Sequence, residues 1–163
     1  SSDLNTAAGY TTLGGLFSFV ALAGANTDYA LFAYQVPAGT LTNMGRTLIV
    51  RGISIDAFVS AAAGTPTVAT VLEWGFAFGS LNVSLASSEG TSTKLPRKGF
   101  LGVQSILTTA VVGTELRRIQ QTLEQPVVVN PGEYFHIILR IPAGAAITYP
   151  TITGGVFIDA SWE

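Results

Sequence analysis

The stretch "PGEYFHIILRIPAG", residues 131–144, decides the fold. In an extended chain Phe135, Ile137, Leu139 and Ile141 share one face, and Tyr134, His136, Ile138 and Arg140 share the other. One face is wholly apolar and the other mixed, the pattern of a half-buried β-strand. Pro131-Gly132 before it and Pro142-Ala143-Gly144 after it supply turn chemistry, because Pro fixes φ and Gly accepts positive φ. The strand holds the only histidine in the chain.

Strand signals of the same kind recur on both sides. "DYALFAYQV" (28–36) ends in the turn Pro37-Ala38-Gly39. "RTLIVRGISIDAFVS" (46–60) places Ile49, Ile53, Ile55 and Val59 on one expected face, interrupted by Arg51. In "TVATVLEWGFAFGS" (67–80), Leu72, Trp74, Phe76 and Phe78 alternate with Val71, Glu73, Gly75, Ala77 and Gly79. That strand has one bulky face and one nearly bare face, and a bare face lets another backbone or subunit approach closely. Residues 84–99 read as a polar loop and "FLGVQSILTTAVV" (100–112) as a strand. "ELRRIQQTL" (115–123) fits either a helix or a strand and is taken as a strand from its neighbours. "QPVVVNPGEYFHIILRIP" (125–142) reads as strand, turn, strand. Residues 145–163 close the chain, with a bulge or kink expected at Gly154-Gly155.

About eight strands separated by Gly/Pro turns predict an all-β antiparallel sandwich, and among such folds a jelly roll of two Greek keys. Residues 1–27, rich in Ala, Gly, Thr and Leu, are expected to form an N-terminal arm, in which Thr11, Leu13, Phe17 and Phe19 can attach part of the segment to a sheet. Residues 28–163 are then the sandwich domain.

Composition narrows the function. Charged residues are 11% of the 163 positions and the net charge is −2, against about 25% charged in an ordinary domain. Nucleic-acid binding needs a clustered basic surface, and only Lys94, Arg97 and Lys98, with Arg117-Arg118, come close; they read as loop and strand-edge solubility. The absence of cysteine removes disulfides, thiolate metal sites and a Cys nucleophile. The apolar run Leu13–Ala25 is broken by Gly14, Gly15 and Gly24 and falls short of the ~20 residues of a membrane-spanning helix. No basic residue precedes it, so it does not read as a secretory leader.

No catalytic, cofactor-binding or metal site is expected. His136 would need an acid and a hydroxyl to form a triad; no Ser lies in a G-x-S-x-G elbow, and only Asp56 and Asp159 offer a distant acid. Its bland reading is a strand histidine on the more solvated face. Acids are dispersed, without the clustering a metal or a glycosidase needs. Glu73 beside Trp74 is the only acid next to a large aromatic, and reads as an outward side chain beside an inward one. "LGGLF" and "TGGVF" lack phosphate-loop spacing, and the sequon Asn82-Val83-Ser84 is short enough to occur by chance. Tyr29, Phe32, Tyr34, Trp74, Tyr134, Tyr149 and Trp162 could build a sugar platform, but alternation sends several to the core.

Low charge is itself informative. A solitary domain ordinarily intersperses charge over its surface, whereas "LFAYQV" and "VLEWGFAFG" are small or apolar on both faces. Strands covered on both sides read this way. The expectation is a homo-oligomer with large, dry interfaces.

In "TTLGGLFSFVALAGANTDYALFAYQVPAGT", "VLEWGFAFGSLNVSLAS", "KLPRKGFLGVQS" and "VVVNPGEYFHIILRIPAG" the chain resembles structural proteins of tailed-bacteriophage particles: capsid decoration proteins and head- or tail-fibre subunits. The resemblance is one of style over most of the sequence, without a diagnostic motif. It implies a virion component with no active site, self-associating as a homo-oligomer, expected to be a trimer, docking on other virion proteins and binding neither nucleic acid nor membrane. A receptor- or host-glycan-binding module on the same sandwich is the alternative, and a TNF-like trimeric ligand shares the fold.

Overall fold

The computed structural model describes residues 13–21, 27–42, 44–61, 70–79, 86–88, 97–106, 111–142 and 148–163. The alternating segments form nine strands: β1 (Gly15–Ala21), β2 (Thr27–Gln35), β3 (Leu48–Ala61), β4 (Thr70–Gly79), β5 (Ala86–Ser88), β6 (Arg97–Ile106), β7 (Ile119–Val129), β8 (Tyr134–Arg140) and β9 (Thr148–Trp162). No helix occurs among the described residues. A four-stranded sheet has the order β1-β9-β3-β7 and a five-stranded sheet the order β5-β2-β8-β4-β6, and every pairing is antiparallel. Apart from the three-residue β5, each sheet interleaves strands from the two ends of the chain, which is the jelly-roll order.

The core lies between the sheets. Phe135, Ile137, Leu139 and Ile141 of the opening stretch are fully buried, as alternation requires. Trp74 of β4 meets Phe17 of β1 with ring centroids 5.5 Å apart, and Phe76 meets Phe135 at 6.1 Å. Each such buried aromatic removes enough apolar surface to contribute about 1.5–3 kcal/mol. At the side where β6 and β7 close the sandwich, the core contains a polar bridge. Trp74 Nε1 donates to Gln104 Oε1 at 2.9 Å, and Gln104 Nε2 donates to the Arg117 carbonyl at 2.6 Å. Gln121 Nε2 donates to the Leu101 carbonyl at 2.9 Å, tying the two sheets edge to edge.

Several sequence expectations change. Residues 15–21, assigned to an arm, are the edge strand β1, with Phe17 and Phe19 in the core; Thr11 and residues 1–12 lie outside the described residues. The domain boundary at residue 28 therefore moves into the former arm. The two strands read on either side of Glu124 are one strand, β7. Its register against β3 runs from Val50↔Val127 to Gly52↔Thr122, so residues 123–126 bulge opposite Arg51. Pro126, which cannot donate to a ladder, is tolerated there on an edge strand. The same irregularity at Arg51 resets the alternation of β3: Val50 and Ile53 both enter the core, while Ile49 does not join it. Finally, the register of β9 is unbroken at Gly154 and Gly155. Gly154 serves close approach instead, since a Cβ there would overlap the Asp56 carbonyl and sit 2.7 Å from the Ala57 Cα. The expected polar loop 84–99 contains β5 and gives way to β6 at Arg97.

Candidate functional site

The chemistry-bearing side chains distribute over two outer faces and one end of the sandwich. On the outer face of the five-stranded sheet, β8 presents Tyr134, His136, Ile138 and Arg140. Across from His136 stand Ala33 of β2 and Ala77 of β4; across from Ile138 stand Ala30 and Gly75. The bare face read on β4 thus forms one wall of a shallow trough along β8. His136 is fully buried, 0% exposed, contrary to the solvated position expected for it. Ala30, Ala77 and Ile138 beside it are buried as well, and Tyr134 stacks on the imidazole with centroids 6.0 Å apart. Neither ring nitrogen makes a hydrogen bond of good geometry to a described residue. Burial pushes its pKa down from 6.5 to about 4, with the Ala77 backbone acting the other way, so the ring is neutral at pH 7. Four residues along, Arg140 Nε lies 3.2 Å from Glu73 Oε2. Glu73 points outward beside an inward Trp74, as alternation requires.

The candidate acids do not converge on His136. Asp56 sits on the outer face of the opposite sheet, in an exposed ion pair with Arg118 at 3.5 Å, and Asp159 is exposed on the neighbouring strand β9. The two faces are separated by the core. Lys94 and the Asn82–Ser84 sequon lie outside the described residues.

The outer face of the four-stranded sheet carries hydroxyls and exposed apolar side chains. Ser18 Oγ lies 3.2 Å from Thr153 Oγ1, which lies 2.7 Å from Ser60 Oγ. Beside this ladder Leu16 is 90% and Phe157 72% exposed. They flank Gly155, whose Cβ position would touch the Leu16 Cδ2 at 3.4 Å. Phe58, on the next strand, is also exposed.

At one end, the β2–β3 connection folds over the last residues of β9. Val36 N–H donates to the Glu133 carbonyl at 2.9 Å and Gly132 N–H to the Val36 carbonyl at 2.8 Å, while Thr47 and Glu163 exchange backbone bonds at 2.7 and 2.8 Å. Between these anchors lies a cavity of about 260 Å³ walled by Tyr34, Trp162, Pro37, Met44 and Arg46. Tyr34 and Trp162 meet edge to face, centroids 6.3 Å apart, and burial raises the Tyr34 pKa above its ordinary value. Of the aromatics read as a sugar platform, this pair faces a cavity; Tyr29, Phe32 and Trp74 are in the core, and Tyr134 covers His136. The sequence held no signal for the cavity, because its walls come from β2 and the far end of β9. No protein-family model, no curated protein and no solved structure matches the chain.

Proposed function

We propose that the chain is a non-enzymatic structural subunit of a bacteriophage particle, which associates with copies of itself as a trimer and docks on the particle shell. The observation that carries this reading is the outer face of the four-stranded sheet, where Leu16 and Phe157 are 90% and 72% exposed. A chain with only eight Lys and Arg and ten Asp and Glu has little charge with which to keep such a face in water, and exposed apolar patches mark association sites. The jelly-roll order supports the same reading by analogy, since viral shell subunits are among its commonest users.

Native mass in solution tests it. A trimer at micromolar protein is expected, and Leu16→Ser with Phe157→Ser is expected to dissociate it while leaving the sandwich folded. A wild-type chain that stays monomeric and soluble at millimolar concentration would remove the reading.

A further inference from the structure

We infer that the end cavity between the β2–β3 connection and β9 is a binding site for a carboxylate-bearing sugar ring. The walls suit a ring that is apolar on one side and charged at one point. Tyr34 and Trp162 contribute aromatic surface, and their edge-to-face contact at 6.3 Å fixes both rings. Met44 and Pro37 complete an apolar rim. The single charge in the lining is Arg46, which is exposed and has neither an ion pair nor a hydrogen bond to any described residue.

Cations are scarce in this chain, and the described ion pairs occupy Arg118 and Arg140. Arg46 is instead left at the mouth of an aromatic cavity. A planar guanidinium offers a fork of donors that matches a carboxylate in two parallel hydrogen bonds. The Thr40 hydroxyl and the backbone of Gly39 and Gly45 add polar groups of the kind that orient sugar hydroxyls. The loop that carries them is anchored at both ends. It is held by the backbone bonds of Val36 and Thr47, and Gly45 packs so closely on Pro131 that a Cβ would come within 2.7 Å of it. The site lies at an end of the sandwich, away from the Leu16–Phe157 face, and does not depend on the association proposed above.

Titration of the full chain with glucuronate and N-acetylneuraminate, followed by tryptophan fluorescence and backbone NMR shifts, tests the assignment. Trp74 is buried, so a ligand-induced fluorescence change reports Trp162. Binding in the millimolar range is expected for so small a ligand. Glucose is expected to bind at least about tenfold more weakly, as is glucuronate to Arg46→Ala, the loss of about one charge-assisted hydrogen bond. Arg46→Lys should fall between. The Leu16→Ser, Phe157→Ser chain should bind as the parent does, which separates this site from the association face. Equal binding of glucuronate and glucose, tighter binding of AMP than of either acid, or no shift at residues 34–46 and 162 with any sugar acid would overturn the assignment.

Discussion

Gln104 and His136 sit on opposite faces of the five-stranded sheet, and each is fully buried at 0% exposure. Their surroundings differ in kind. Gln104, on the inner face, receives the Trp74 indole N–H and gives its own N–H to the Arg117 carbonyl; both ends of the amide are satisfied. His136, on the outer face, has no hydrogen bond of good geometry to a described residue at either nitrogen. A buried polar group with partners orients its surroundings, whereas one without them costs free energy. The inner residue therefore holds β4 and β6 against the start of β7. The outer one is tolerated because a neutral imidazole with a stacked Tyr134 behaves almost as an aromatic wall for the trough.

The largest expected effect breaks the inner side. Trp74→Ala removes the biggest fully buried side chain together with the donor to Gln104, and should cost about 3–5 kcal/mol in denaturant unfolding. A loss below about 2 kcal/mol would mean that Phe17 and its neighbours collapse into the space and that the bridge matters little.

Acid tests the outer side. The folded-state pKa of His136 is lowered to about 4 from 6.5. As pH falls through that window the unfolded chain takes up a proton that the folded chain refuses, so stability falls with falling pH. The full difference is at most about 3 kcal/mol. Carboxylates as a class begin to titrate at the lower end, so the comparison is between the parent and His136→Leu. The variant should lose the slope between pH 6.5 and 4.5. If both chains lose stability in parallel, His136 accepts its proton in the folded state and the contrast with Gln104 disappears.

Gln104→Leu strands the Trp74 N–H in the core and removes the donor to the Arg117 carbonyl, for about 1–3 kcal/mol. Adding Trp74→Phe takes away the stranded donor, so this second substitution should cost less when Gln104→Leu is already present than it does alone. Strict additivity would show that the 2.9 Å contact carries no coupling.

Much of this contrast was hidden in the sequence for definable reasons. Alternation in residues 134–141 was legible, and so were the inward Trp74, the bare face of β4 and the jelly roll. Alternation assigns faces, however, and says nothing about what covers them. His136 reads as solvated because alternation puts it on the outer face; that Ala30, Ala77 and Ile138 on that face are buried with it is not encoded in its own strand. Phe17 and Phe19 alternate correctly, but Gly14-Gly15 and the Ala-rich run after them masked an edge strand as an arm. The sequence reading parted β7 at Glu124, because 115–123 fits a helix as well as a strand; the bulge opposite Arg51 on an outer edge joins the two halves. The Tyr34–Trp162 cavity needed the two ends of the domain brought together, which no local pattern encodes.

The smallest expected effect separates the two ion pairs, and with them the two outer faces. Glu73 and Arg140 share the trough with His136, are mostly shielded from water and lie 3.2 Å apart. Asp56 and Arg118, on the opposite face, are largely exposed and 3.5 Å apart. Exposed pairs contribute little because water screens them and two long side chains must be held still. Asp56→Asn should therefore change stability by less than about 0.5 kcal/mol, and Glu73→Gln by about 1 kcal/mol, since it takes a carboxylate out of a partly desolvated pair. Salt sharpens the distinction: screening acts on exposed charges first, so raising the ionic strength should erase the Asp56 effect and leave most of the Glu73 effect. Equal losses at both positions in high salt would mean that the trough is as wet as the opposite face, and that His136 is shielded by Tyr134 alone.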